Sequence, residues 1–361
     1  MKTIGIGVLG CGNISDIYLS NLTSFFPYVT VEAVCDLDES KARAQAEKYG
    51  IGKVLTLEEM LADESIRIVL NLTTPKSHYP LTKRCLDAGK NVHTEKPLAL
   101  NYRDAAELCS IAEEKSLLLG CAPDTFFGAS WQTAREVIDR GDIGRVISGE
   151  AFFLNSGAED WHPSPAFYYE KGGGPVFDMG PYNLHNLFNL LGPADGLFGM
   201  HTKGREERLI TSQPLCGTKI PVEVPTHVSG LIHFASGAVI SIIESFDAVM
   251  TSLPHIELHG TEGSLLLPDP NYFGGDVLLC KKGDTQWKPV SISHPYGSNQ
   301  RGAGVCDMAK CLLFGGAPRA SGRMAAHAVE VMESLHLSWD EKRFVSLEST
   351  FTQPAPLQGE L

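Results

Sequence analysis

The stretch Ile4-Gly5-Ile6-Gly7-Val8-Leu9-Gly10-Cys11-Gly12-Asn13-Ile14-Ser15 decides the fold. Its first half is a short apolar run with the character of a buried strand, and the glycines and small polar residues that follow make a tight turn into a helix. A literal Gly-x-Gly-x-x-Gly match falls on Gly5, Gly7 and Gly10, but Gly5 and Gly7 lie inside the strand. A phosphate-binding loop has to follow the strand and open the helix, so the relevant run is Gly10–Ser15. There Gly10 makes the turn, Gly12 lets the backbone approach a pyrophosphate, and the first helical amides, at Asn13 and Ile14, face its negative charge. Ser15 stands where a third Gly or Ala is usual, and it is small enough to keep helix and strand together.

The context supports that reading. A second strand is expected over Val29–Cys35, and Asp36 stands at its end. A carboxylate there accepts hydrogen bonds from the ribose hydroxyls of an adenosine and repels a 2′-phosphate, which favours NAD over NADP. The blander alternative is an ordinary strand–turn–helix with a capping aspartate. Further strands are expected near Ile66–Asn71, Asn91–Thr94 and Leu117–Cys121. Helical spacing occupies Ser40–Tyr49, Tyr79–Ala88 and Tyr102–Lys115. Such alternation builds a doubly wound parallel sheet covered on both faces, a Rossmann domain placed over residues 1–122.

After Ala122 the pattern changes. A helix is expected at Ala129–Arg140 and another after the glycines at 172–174. Longer alternating strands follow at Val146–Leu154, His227–Phe234, Val239–Ser245, His255–His259 and Ser264–Leu267. Residues 123–361 therefore read as an α+β domain with a large, open, mostly antiparallel sheet. Helices at Gly304–Phe314 and Met324–Trp339 are expected beside that sheet, and the Pro-rich Gln353–Leu361 as a loose tail.

Size and charge bound the function. The chain has 361 residues, 43% of them hydrophobic, and a formal charge of −13. That is enough apolar surface for two domains. An acidic chain repels nucleic acid and anionic membrane, so neither is expected as a partner. No run approaches the ~20 apolar residues of a bilayer span, and the N-terminus lacks the pattern of a signal peptide. Nine scattered cysteines without a Cys-x-x-Cys pair read as reduced structural thiols of a cytoplasmic protein. The histidines show no metal-ligand spacing; His255 and His259 are four apart in a strand-like stretch, where they need not converge. No Gly-x-Ser-x-Gly elbow suggests a serine hydrolase.

The chemistry centres on Asn91-Val92-His93-Thr94-Glu95-Lys96-Pro97. With it go Thr74-Pro75 and His78, Ala88-Gly89-Lys90, Gly144, and Gly172-Gly173-Gly174-Pro175-Val176-Phe177-Asp178-Met179-Gly180. Together with Gly10-Cys11-Gly12, these make a chain that resembles the glucose–fructose oxidoreductase / inositol dehydrogenase / MocA (Gfo/Idh/MocA) family over nearly its whole length. The resemblance implies that Thr73, Thr74, Pro75 and His78 lie along NAD and that Glu95 reaches the nicotinamide ribose. It implies that Lys96 sits between nicotinamide and substrate, that Asp178 hydrogen-bonds substrate and pairs with Lys96, and that the C-terminal sheet makes homodimer or homotetramer contacts.

The residues make sense physically beside the resemblance. Lys96 follows a buried strand at its C-terminal end, where ligands bind in open α/β sheets. An ammonium there stabilises negative charge developing on a reacting oxygen, and a cis bond to Pro97 would aim it. Asp178 is read as opening a helix; its bland role is an N-cap. Many relatives carry a proton-transferring His four residues later, where this chain has Tyr182, on the same helix face as Asp178. His185, one turn further, is either the proton acceptor in place of Tyr182, a relay, or a buried supporting histidine. Tyr182 is the preferred acceptor.

The segment Asn155-Ser156-Gly157-Ala158-Glu159-Asp160-Trp161-His162, with Phe167-Tyr168-Tyr169, is a loop rich in aromatics and hydrogen-bonding groups. That composition suits a polyhydroxylated ligand, and Asn155, Trp161, His162 and Tyr169 are the expected contacts. Equally, such aromatics pin a loop to a sheet. Asp124, just past the last Rossmann strand, is expected near substrate, where it would disfavour an anionic one. The function expected is hydride transfer between NAD and a secondary hydroxyl of a neutral sugar, glycoside or inositol-like polyol. The alternatives are glycoside cleavage through a transient keto-sugar, and a non-catalytic sensor of NAD or sugar.

Overall fold

The structure is a computed structural model and describes residues 2–361. The N-terminal half alternates β1 (Ile4–Leu9), α1 (Ser15–Ser24), β2 (Val29–Cys35), α2 (Glu39–Tyr49), β3 (Lys53–Val54), α3 (Leu57–Ala62), β4 (Ile66–Asn71), α4 (Pro75–Asp87), β5 (Asn91–Thr94), α5 (Tyr102–Glu114) and β6 (Leu119–Cys121). The six strands form one parallel sheet in the order β3-β2-β1-β4-β5-β6. Val8 pairs with Val34 on one side and Leu70 on the other. The strand order reverses at β1, so the crevice beyond the C-terminal ends of β1 and β4 is the place where such sheets take ligands. Gly7 is a packing glycine and not part of the phosphate loop: a Cβ there would lie 2.8 Å from Met60 Sδ.

The second half contains α6 (Ala129–Asp139), β7 (Val146–Leu154), α7 (Gly174–Asp178), α8 (Gly180–Leu191), β8 (Ala194–Thr202), β9 (Glu207–Leu209), β10 (Lys219–Pro221), β11 (His227–Phe234) and β12 (Val239–Ser245). It continues with β13 (Ile256–Gly260), β14 (Gly263–Leu267), β15 (Leu278–Lys281), β16 (Lys288–Pro289), α9 (Ala303–Phe314), α10 (Gly322–Glu341) and β17 (Val345–Ser346). Nine strands join in the order β16-β15-β14-β13-β7-β12-β11-β8-β17. All neighbours are antiparallel except β7 and β12, which run parallel; the long connection between them carries α7 and α8, as a parallel pair requires a crossover. Every residue of α8 is buried, and its polar side chains are only partly partnered: Asn183 Oδ1, His185 Nδ1, Asn186 Oδ1 and both amide atoms of Asn189 have no hydrogen-bond partner. On the same face α10 rides directly on β8: a Cβ at Gly199 would lie 2.2 Å from the Leu335 carbonyl oxygen.

Two expectations are corrected here. Helix α9 does not stay beside the C-terminal sheet; it returns to pack on β1 and β6 of the Rossmann sheet. Its face of small and apolar residues, Ala303, Val305, Cys306, Met308 and Ala309, is fully buried. The terminal segment is not loose. Leu357 and Leu361 are buried, and the Leu357 amide donates to Gln132 Oε1 at 2.8 Å. Two leucines, four residues apart, give this Pro-rich stretch apolar anchors that its composition obscures.

Candidate active site

The phosphate loop has the geometry its residues dictate. Gly10 sits at φ +101°, and a Cβ there would lie 2.8 Å from the Leu72 carbonyl carbon, so the turn requires glycine. Beyond Gly12 a Cβ would meet nothing within 4 Å, which leaves open space against the backbone. Helix α1 starts without a side-chain cap; its first amide, Ser15, donates to the Gly12 carbonyl at 3.0 Å, and the positive end of the helix that points at this open space suits an anion. Asp36 is locked in place by the amides of Cys11 (2.7 Å) and Asp38 (2.8 Å). Each carboxylate oxygen retains a lone pair for a ribose hydroxyl. These features fit a dinucleotide.

The loop between β4 and α4 is tied to the loop after β5. His78 Nδ1 lies 2.7 Å from the Pro97 carbonyl oxygen and Nε2 lies 2.9 Å from that of Thr73. His78 is fully buried, and that burial lowers its pKa. Both ring nitrogens face protein backbone, so the residue acts on a cofactor by fixing the two loops. Thr73 caps its own turn through Asn71 Oδ1 (2.7 Å). Thr74 precedes α4, whose first turn begins with Pro75 and carries no side-chain cap.

Beyond β5, the Lys96–Pro97 bond is cis. Glu95 is held by the Tyr18 hydroxyl (2.7 Å) and the Lys96 amide (2.9 Å). Lys96 Nζ donates to the Asp178 carbonyl and carboxylate, both at 2.7 Å, and lies 5.3 Å from the Tyr182 ring centroid. Burial disfavours its charge, but Asp178, Tyr182 and Glu95 outweigh that and raise its pKa. Lys96 is therefore a fixed cation, suited to stabilising charge and not to exchanging protons.

Asp178 closes α7 instead of opening α8. Pro175 starts the first helical turn and Pro181, lacking an N–H, starts the second. The break at Met179 leaves the Asp178 carbonyl free to receive Lys96. Tyr182 is buried, and its own carbonyl accepts from Asn186 Nδ2 at 2.9 Å. Behind it, Asn183 Nδ2 donates to the buried Glu244 at 2.7 Å. Burial pushes the Glu244 carboxyl well above the usual range, which makes it a neutral acid.

His185 lies apart from this cluster. It is enclosed, 6.5 Å centroid to centroid from Phe188, and its Nδ1 has no hydrogen-bond partner. Burial pushes it down to about 3, and it helps hold His93 of β5 down to about 3 as well. Asp124 is also displaced from the expected role. It is 1% exposed, and its carboxylate accepts the amides of Gly302 (2.9 Å) and Gly304 (3.1 Å) at the start of α9. Burial raises its pKa to about 6. It caps a helix inside the protein, so the case it offered against an anionic substrate lapses.

The aromatic loop divides in two. Tyr169 is fully buried with Ile210, Ile220, Val222 and Phe246, its hydroxyl bound to Glu159 and the Ala158 amide. The neighbouring Tyr168 packs on the edge of the same cluster, its ring 6.1 Å from that of Phe246; burial and, next, the Asp178 charge raise its pKa. His162 stands beside it, 5.4 Å between ring centroids, and Trp161 caps His162 edge-on at 5.3 Å while remaining 59% exposed. Asn155 turns inward and accepts the Gly157 amide at 3.0 Å. The Asp178 charge reaches His162 and Tyr168, and Trp161 packs on His162.

Arg301 carries no motif that marks it in the sequence. Its guanidinium carbon lies 6.0 Å from the Tyr182 ring centroid, on the segment that leads into α9. Nη1 donates to Asn299 Oδ1 (2.8 Å) and Nη2 to Asn271 Oδ1 (2.6 Å). Tyr182 is therefore approached by two cations. Among the described residues, no group of three or more His, Cys, Asp or Glu side chains is placed to hold a metal, and no helix is long and apolar enough to cross a membrane.

Comparison with known proteins gives a consistent result. Residues 4–122 match the model of an oxidoreductase family with an NAD-binding Rossmann fold, and residues 131–266 match that of the GFO/IDH/MocA C-terminal domain. An uncharacterised oxidoreductase of Schizosaccharomyces pombe is 29% identical over 62% of this chain, which spans 64% of that protein's length. Myo-inositol 2-dehydrogenase of Thermotoga maritima is 26% identical over 95% of this chain and 98% of its own. Levoglucosan dehydrogenase, solved in complex with NADH and L-sorbose, superposes with a TM-score of 0.82 at 20% identity, over 97% of this chain and 100% of its own, and so shares the fold.

Proposed function

The chain belongs to the Gfo/Idh/MocA family of NAD-binding oxidoreductases, and we propose that it moves a hydride between NAD and a secondary hydroxyl of a neutral sugar, glycoside or inositol-like polyol. One observation carries the reading: beside the dinucleotide crevice, a fixed Lys96 cation touches both Asp178 and the face of Tyr182. NAD, bound by Gly10–Ile14, Asp36 and the Thr73–Pro75 turn, supplies the hydride acceptor. Lys96 stabilises negative charge on the substrate oxygen, Asp178 orients the lysine, and Tyr182 takes the hydroxyl proton. His162, Trp161 and Tyr168 offer aromatic faces for C–H groups and polar edges for hydroxyls. Lys96 is already neutralised by Asp178, so this side of the site suits an uncharged ligand.

The test is incubation with NAD and a panel of inositols, aldoses and glycosides, following NADH absorbance and sugar products together. Stoichiometric NADH and keto-product support the proposal. Cleaved glycoside without net NADH would replace it with transient oxidation. NAD binding with no turnover across the panel would favour a sensor.

Self-association through the large sheet belongs to the same proposal. Phe198 and Met200 of β8 and Leu231 of β11 stand on its open face, 54%, 57% and 49% exposed, with Leu231 directly opposite Phe198. A patch of this kind is covered in a stable protein. Light scattering should find a dimer or tetramer that Leu231→Asp dissociates. The nine free cysteines, most of them buried, fit a reducing, cytoplasmic setting.

A further inference from the structure

We infer that Arg301 is a positioning residue for proton transfer, acting as the charge partner of the Tyr182 phenolate. The inference rests on the proposed role of Tyr182 as proton acceptor. Arg301 is held by neutral acceptors only: Asn299 Oδ1, Asn271 Oδ1 and, at 3.4 Å, the Asn271 carbonyl. Among the described residues no carboxylate lies within ion-pair distance of it; the Lys96–Asp178 contact uses the nearest acid of the helix break. Arg301 is half-buried; the Glu95 and Asp124 carboxylates act on it only at longer range, and the aromatic ring it approaches is that of Tyr182. Burial opposes its charge, and Tyr182, Tyr18 and Glu95 restore it.

The segment is placed with care. Asn21, on the dinucleotide helix α1, donates to the carbonyls of Asn299 (2.9 Å) and Arg301 (2.8 Å). Asp124 fixes the next turn through Gly302 and Gly304. The backbone before Arg301 is therefore anchored to α1 of the Rossmann domain and the turn after it to Asp124, just past that domain, while its side chain approaches the ring of Tyr182 on α8. In oxidation the substrate O–H bond breaks and the Tyr182 Oη–H bond forms. The electron pair left on the substrate oxygen becomes the second carbonyl bond as the cofactor takes the hydride. Lys96 and Arg301 both approach the Tyr182 ring, and a cation so placed favours a phenolate over a phenol. Lys96 also serves the substrate oxygen; Arg301, on the present geometry, serves Tyr182.

The test needs no substrate. Ultraviolet phenolate absorbance of the wild type minus Tyr182→Phe isolates the titration of Tyr182. The same difference is taken between Arg301→Met and the Arg301→Met/Tyr182→Phe double variant. The Tyr182 midpoint should move up by about one pH unit or more without the guanidinium, and Arg301→Lys should restore part of the shift. Melting temperature and NAD affinity report whether each variant is folded. With an active sugar, Arg301→Met should lower kcat about tenfold or more at neutral pH and lose little once Tyr182 is already Phe. An unchanged midpoint in folded Arg301→Met and Arg301→Lys overturns the inference. So does a loss confined to KM for uronates, which would make Arg301 an anchor for an anionic substrate. If the panel finds no oxidisable sugar yet the midpoint shifts, the proposed function fails and the pairing stands.

Discussion

Lys96 Nζ reaches the Asp178 carbonyl and carboxylate at the same distance, 2.7 Å. The backbone break between α7 and α8 is what exposes that carbonyl, and the double contact fixes the ammonium 5.3 Å from the Tyr182 ring centroid. Lys96→Met should therefore leave NAD affinity within about threefold, because the dinucleotide loop lies elsewhere, and lower kcat on the order of 10²–10⁴. Asp178→Asn should cost less, since the carbonyl still holds the lysine. Fluorescence titration with NADH and steady-state kinetics separate the two; a Lys96→Met variant that keeps half its kcat would show that the chemistry lies elsewhere.

Asp36 shapes the phosphate loop through the Cys11 amide, and in the proposed reading its charge repels a 2′-phosphate. Asp36→Asn keeps an acceptor for that amide while removing the charge. It should shift the NADP-to-NAD affinity ratio roughly tenfold toward NADP, the worth of relieving one like-charge contact near a surface. Calorimetric titration of both nucleotides against both proteins measures this. Tighter binding of NADP than NAD by the unmodified protein would contradict the assignment.

The buried imidazole of His185 gives a stability prediction with a defined sign. Burial pushes the folded imidazole down to about 3, below its ordinary value of 6.5, so between those values the unfolded chain binds a proton that the folded one does not. Its contribution is complete above pH ~6.5 and is lost as pH falls toward 3, at up to ~1.4 kcal/mol per pH unit. His185→Gln removes that loss. Relative to wild type, the variant should gain stability steadily as pH drops from 6.5 to 4.5 in urea melts. A difference that does not change with pH would mean that His185 is not held neutral.

What was legible in the sequence follows the range of the interactions. The Gly10–Ser15 loop and Asp36 could be read because a phosphate turn is made by consecutive residues and its neighbouring strand end. Lys96 could be read from Glu95-Lys96-Pro97 at a strand terminus. Tyr168 ends a short 3-10 turn and Tyr169 follows it, where no periodicity tells which tyrosine is the buried one; Glu159 and the Ala158 amide claim Tyr169. Asp124 misled because its partners, Gly302 and Gly304, are far along the chain. Arg301 was invisible for the same reason: only the return of α9 to the Rossmann sheet brings it to Tyr182. The placement of Asp178 was off by one helix turn because consecutive proline starts, at 175 and 181, divide what reads as a single helix.

The central claim is that Tyr182, flanked by Lys96 and Arg301, accepts the proton from a sugar hydroxyl whose hydride goes to NAD. The direct measurement is the pH dependence of kcat for sugar oxidation in the wild type, Tyr182→Phe and His185→Gln. Tyr182→Phe should lower kcat on the order of 10²–10³ and remove the rise of rate toward alkaline pH. His185→Gln should keep both the profile and most of the rate, because a histidine held near 3 is already deprotonated throughout the working range and lies apart from the Lys96 cluster. A wild-type profile that turns on with a single transition near that of free imidazole, abolished by His185→Gln and indifferent to Tyr182→Phe, would contradict the account and give the proton to the histidine.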